Sequence, residues 1–145
     1  MFELDPRLEA DSHAVTQWPL CQVRLMDDAR YPWLILVPRR ASAVEPFDLD
    51  EVDQTQLWQE ANRAGAILKT ETGAAKINIA AIGNIVSQLH IHVIARKPGD
   101  AAWPGPVWGQ GQAERLDHAA LAETLTGLRA KLIAPQDNAP QDSTQ

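Results

Sequence analysis

A single cysteine, Cys21, stands in a chain of 145 residues. One thiol excludes an internal disulfide framework and any zinc site built on paired cysteines. No uninterrupted apolar run approaches the roughly 18 residues of a membrane-spanning helix. The opening stretch MFELDPRLEAD is acidic and lacks the basic start and apolar middle of a secretory signal. Together these features predict a cytoplasmic protein. Positive charge is also short: 13 lysines and arginines face 19 acidic residues, for a net charge of −6. That excludes broad nucleic-acid binding, which needs a large positive surface, but leaves room for a small anionic ligand. The basic residues are partly paired, Arg39 with Arg40 and Arg96 with Lys97. Each pair follows an apolar run and reads as a strand end turning into water.

What is present suits one domain, expected over residues 1–134, with enough chain to bury a core unaided. The last residues, PQDNAPQDSTQ (135–145), have almost nothing to bury and are predicted to be a disordered tail. No internal repeat is visible. Asp5 followed by Pro6 is a short helix start. In LCQVRLMDD, Cys21, Val23 and Leu25 alternate with Gln22, Arg24 and Met26, the pattern of a half-buried strand. WLILVP (33–38) is a continuous apolar run of strand length, and the short DDARYP link makes the two an antiparallel pair. The clearest helix starts after Asp50, carries Leu57, Ala61, Ala64 and Leu68 in one stripe, and stops at Gly73. KINIAAIG (76–83) and VSQLHIHVIAR (86–96) read as a second strand pair joined through Gly83 and Asn84. AAWPGPVWGQGQ is too rich in proline and glycine to be regular. A C-terminal helix is predicted from Asp117 to Ile133, with Leu121, Leu125, Leu128 and Leu132 in a stripe. Strands paired with their neighbours, without regular βαβ alternation, give an α+β fold with a mostly antiparallel sheet.

Two of the four histidines fall in that last strand segment. Residues two apart share a face, so Gln88, His90 and His92 are grouped opposite Leu89, Ile91 and Val93. The polar face must meet water or line a site. Two imidazoles roughly 6–7 Å apart disfavour each other's protonation and stay neutral. Neutral imidazole is a nucleophile, a base or a metal ligand. Spacing alone leaves four readings open: an exposed sheet face, a metal site, nucleophilic catalysis on phosphorus, or phosphate binding without turnover. The metal reading lacks further ligands, since His13 and His118 lie in unrelated segments and the neighbouring strand has no acidic residue.

The wider context narrows the choice. GNIVSQLHIHVIAR resembles the signature of the histidine triad (HIT) family, alternating histidines and apolar residues, here Gln88-Leu89-His90-Ile91-His92-Val93-Ile94. LVPRR and WPGP, and the order of the elements, also resemble the family, over about Leu20 to Pro106. The resemblance implies a HIT-like fold with a five-stranded sheet, one long helix and one C-terminal helix. It implies a nucleotide hydrolase or transferase acting at the α-phosphate of a dinucleoside polyphosphate or nucleoside phosphoramidate. His90 would attack phosphorus to form a nucleotidyl-histidine, and His92 would hold phosphate oxygens. Gln88 stands at the first triad position. Asn84, Asn78 and Ser87 would serve phosphate and nucleotide, and Asp27, or Asp28 beside it, the ribose. No cofactor is implied; a purine nucleotide is the expected partner and a homodimer the expected assembly. Three residues depart from the pattern: Gln88 replaces a histidine, Trp33 stands where many members carry another, and Ile85 replaces a hydroxyl residue. A catalytically weak or inactive nucleotide-binding module is the alternative.

Overall fold

In the computed structural model, which describes residues 1–133, five strands form one antiparallel sheet in the order β1-β2-β3-β5-β4. β2 (Cys21–Met26), β3 (Trp33–Pro38), β4 (Lys76–Ala80) and β5 (Ile91–Arg96) are the expected strands. The fifth, β1 (Ser12–Gln17), has no clear alternation; it pairs with β2 through a register shift between Ala14 and Thr16. The motif segment differs from expectation. β4 stops at Ala80 and β5 starts only at Ile91, so residues 81–90 form an irregular link, turned at Gly83 with φ +60°. The tail expected over 135–145 lies outside the described residues.

Helix α1 (Pro6–Asp11) begins as predicted, with the Asp5 carboxylate accepting from Arg7 N–H. Helix α2 (Glu51–Thr72) is capped by Asp50, which accepts from Asp53 N–H, and ends on Gly73 in the left-handed region. All four stripe residues, Leu57, Ala61, Ala64 and Leu68, are buried against the sheet. Gly65 lets the helix come close: a Cβ there would lie 3.3 Å from Ile77 Cγ2 on β4. Helix α3 (His118–Leu132) buries Leu128 and Leu132 in the same core. Glu60 ties α2 to the start of β2, its buried carboxylate accepting from Leu20 N–H and Cys21 N–H. No described helix is long and apolar enough to cross a membrane.

The sheet is covered on both faces. Leu34, Leu36, Ile91 and Val93 meet α2 in one apolar cluster. The opposite parity, Trp33, Ile35, Val37 and Ile94, forms a second cluster with Leu8, Tyr31 and Val107. Phe2 and Leu4 from the N-terminal arm and Trp108 from the proline- and glycine-rich segment pack onto it. The face carrying the histidines is therefore not an open surface. Arg96 also departs from the solvated strand end expected for it: it is 1% exposed and paired with Asp100.

Candidate active site

β5 lies between β3 and β4, with Ile35 opposite His92 and Trp33 opposite Ile94. Trp33 is thus diagonal to His92 on one sheet face, within reach of a large side chain. Its indole Nε1–H donates to His92 Nδ1 at 3.0 Å. An indole nitrogen can only donate. His92 Nδ1 must therefore accept, and the proton of the neutral ring sits on Nε2. His90, one residue before β5, is held differently. Its Nδ1 lies 2.6 Å from the main-chain carbonyl oxygen of Gln88. A carbonyl can only accept, so His90 Nδ1 carries the proton and its Nε2 lone pair is free.

The rings are 4.8 Å apart between centroids at 71°, closer than strand spacing alone predicts. Trp108 packs edge-on to His92 at 5.2 Å and to Trp33 at 6.2 Å. Each histidine is 6% exposed. Burial, with the neighbouring His90 second, pushes the pKa of His92 down to about 3. With both rings neutral, the pair offers one nucleophilic nitrogen, on His90, and one donor, on His92. The indole N–H of Trp108 is buried with no partner among the described residues. A small hollow of about 30 Å³ reaches His90, lined also by Ser87, Gln88, Gly83 and Glu45.

A pH dependence of stability follows from His92. Its ordinary pKa of 6.5 applies to the unfolded chain and about 3 to the folded one. Above 6.5 neither state binds the proton and the difference vanishes. As pH falls below 6.5 only the unfolded chain takes it up, so stability is lost at up to about 1.4 kcal/mol per pH unit. Urea unfolding between about pH 7 and pH 4 should show this loss, and His92→Asn should flatten it. An identical slope in both proteins would count against it.

The other expected site residues are distributed as follows. Gln88 does not turn its side chain to the imidazoles. Its Oε1 accepts from Asp5 N–H at 2.8 Å and its Nε2 donates to the Glu3 carbonyl at 2.7 Å. Its contact with His90 is made by its main chain, and its amide fastens the N-terminal arm. Arg7 adds a bond to the Ile85 carbonyl at 3.2 Å. Ser87 lines the hollow beside His90, while Asn84 is exposed on the same link. Asn78 faces Ile94 across β4 and β5, and its Oδ1 accepts from Arg96 Nη1. Asp27 accepts from Leu116 N–H and Arg115, with His13 Nε2 at 3.2 Å. Burial works against its charge, but these donors outweigh it and lower its pKa. Asp28 is held bidentately by Arg30. Among the described residues no three His, Cys, Asp or Glu side chains converge as metal ligands.

A profile of the HIT domain matches residues 7–99. The chain belongs to the HIT family. Among solved structures, a histidine triad protein of Bradyrhizobium japonicum shares 49% identity and a TM-score of 0.88, over 90% of this chain and 98% of that one. A histidine triad protein of Sinorhizobium meliloti shares 52% at a TM-score of 0.84, covering 91% and 95%. One of Marinobacter aquaeolei shares 40% at 0.90, covering 92% and 97%. No curated protein matches the sequence. The fold is that of these HIT neighbours, and the family is one of nucleotide-binding hydrolases and transferases.

Set in a HIT domain, the departures acquire physical content. The residue at the first triad position is a structural clamp for the arm. Ile85 is 86% exposed and leaves no hydroxyl there. Trp33 has a role in the site that its sequence context does not show. Trp33 counted as a lost imidazole, yet it supplies the only side-chain hydrogen bond to His92 among the described residues. Its signal was its place in an all-apolar strand whose face also carries the motif; the pairing of β3 with β5, distant in sequence, could not be read from alternation.

Proposed function

We propose that this HIT protein is a nucleotide hydrolase or transferase that acts at the α-phosphate through a nucleotidyl intermediate on His90. The observation that carries this reading is the 2.6 Å contact between His90 Nδ1 and the Gln88 carbonyl, which leaves the other ring nitrogen free to attack. Attack forms the Nε2–P bond and expels the leaving group; water then attacks phosphorus, the P–N bond breaks, and its electron pair returns to Nε2. The step divides one hard substitution into two easier ones. In this reading His92 Nε2–H donates to a phosphate oxygen, Ser87 and Asn84 add donors from the link before β5, and these meet the charge that grows in the transition state. Asn78 and Asp27 serve the nucleotide in this reading. The unpartnered indole N–H of Trp108 supports a ligand acceptor near His92, since an unmet buried donor costs about 1–3 kcal/mol. The substrate class is a dinucleoside polyphosphate or nucleoside phosphoramidate, with a purine nucleotide bound.

A homodimer is part of the same reading. β4 is an edge strand, and Ile79, Ile82 and Ile85 are exposed along it and the link that follows. An exposed apolar strand edge is a pairing surface.

A binding module without turnover is favoured by one observation, the 6% exposure of both histidines, with a hollow of only about 30 Å³ at His90. Incubation with diadenosine tetraphosphate separates the two. AMP release together with an acid-labile nucleotidyl adduct in the intact-mass spectrum is the expected result. Saturable binding with neither AMP nor adduct would make the protein a nucleotide-binding module.

A further inference from the structure

His90 and His92 are held as opposite tautomers by two different groups. For His90 the group is a backbone carbonyl; for His92 it is the indole of Trp33, a side chain. The geometry leaves little freedom. Trp33 is 7% exposed, packed between Tyr31 at 6.3 Å and Trp108 at 6.2 Å, with its ring 5.5 Å from that of His92. An indole so wedged presents its N–H to His92 Nδ1.

This has a chemical consequence for the leaving group. His92 can donate a hydrogen bond from Nε2. Giving up that proton would turn a neutral imidazole into an anion beside His90. Burial, with His90 beside it, also opposes the doubly protonated form. The ring therefore stabilises charge but delivers no proton. Around His90, among the described residues, the Gln88 amide is engaged with Glu3 and Asp5, the Ser87 hydroxyl that lines the hollow is an alcohol and a weak acid, and Ile85 has no hydroxyl. When the Pα–O bond of a phosphoanhydride breaks, the electron pair remains on a phosphate oxygen, stable as an anion at neutral pH. When the Pα–N bond of a phosphoramidate breaks, the nitrogen must gain a proton to leave as an amine.

We propose that Trp33 is a positioning residue: its indole N–H holds His92 as the neutral Nε2–H tautomer, a donor with no proton to give, and this confines the site to phosphoanhydrides, whose leaving group departs as an anion. The inference rests on the reading of His90 as nucleophile. In the balanced reaction His90 Nε2 bonds to Pα, the nucleoside polyphosphate leaves with the Pα–O electron pair, and water releases the mononucleotide with one proton passing to solvent.

Two measurements test it. Long-range proton–nitrogen spectra of protein labelled with ¹⁵N-histidine, with His92 assigned by comparison with His92→Asn, should show only the Nε2–H form in the wild type. Trp33→Phe should yield a mixture of tautomers or the Nδ1–H form. Rates of AMP release should favour diadenosine tetraphosphate over adenosine phosphoramidate by about 10²-fold or more, the scale of a missing general acid. Trp33→His, which restores an ionisable ring, should narrow that ratio about tenfold. An Nδ1–H wild type, or tautomers unchanged in a folded Trp33→Phe, would overturn the positioning role. Equal rates on the two substrates would overturn the restriction to phosphoanhydrides. No AMP from either substrate would overturn the function proposed above and the substrate restriction with it, while the wild-type spectra still decide what Trp33 does.

Discussion

Replacement of His90 by alanine is expected to lower AMP release from diadenosine tetraphosphate by about 10⁴-fold or more and to remove the nucleotidyl adduct entirely. Losses of this order accompany removal of a covalent nucleophile, because its contribution is not shared out among neighbouring groups. The fold should survive. His90 precedes β5 and makes no ladder pairing of its own, and its ring adjoins a hollow that already reaches the surface. The circular dichroism spectrum should be unchanged and the melting temperature shifted little. His92→Asn should lose less, since it removes one donor and leaves the attacking nitrogen; a single donor to a developing oxyanion is worth about 10²–10³ in rate. The ranking is as informative as the magnitudes. If His90→Ala retains AMP release within about tenfold of wild type, water attacks directly and the histidines only bind phosphate.

How far this arrangement was legible in the sequence depended on the range of the interaction. The helix over Glu51–Thr72 was legible because its signals are local: the Asp50 cap, the stripe through Leu68, the left-handed Gly73. So was the grouping of His90 with His92, which needs only the two-residue period. β1 was not, because SHAVTQ takes its strand form from pairing with β2 rather than from its own alternation. Arg96 was misplaced in water for a related reason. A charge at a strand end usually meets solvent, but here a loop four residues on returns Asp100 to it. Gln88 illustrates the limit of motif reading. Its position in the triad suggests a role beside the imidazoles, whereas its amide is satisfied by Glu3 and Asp5, more than eighty residues away in the chain. Periodicity orders residues along a strand; it does not say which distant backbone will cover that strand's face.

The second large effect concerns stability. Asp100→Ala is expected to destabilise the fold by about 3–5 kcal/mol, the cost of leaving one member of a buried ion pair without its partner. The Arg96 and Asp100 side chains are 1% and 4% exposed and meet through two bonds, Nε to Oδ2 at 2.7 Å and Nη2 to Oδ1 at 2.9 Å. Arg96 holds the carboxyl pKa of Asp100 down to about 2. The carboxylate also accepts from the N–H groups of Lys97 and Trp103, so its loss frees a loop as well as a charge. That loop leads into Trp108, which packs on His92. Asp100→Ala should therefore also depress turnover, by loosening Trp108, in protein that is still folded at low temperature. Asn78 and the faces of Tyr31 and Trp103 remain around the guanidinium, at 3.0 Å, 5.5 Å and 5.7 Å, but none of them carries negative charge. The double variant Arg96→Met, Asp100→Ala separates charge from packing, because replacing a buried pair by apolar groups is often close to neutral. Urea unfolding of the three proteins at pH 7 should place the double variant nearer the wild type than Asp100→Ala. If Asp100→Ala alone costs less than about 1 kcal/mol, water reaches Arg96 readily and the pair is not what anchors the tryptophan segment over the histidines.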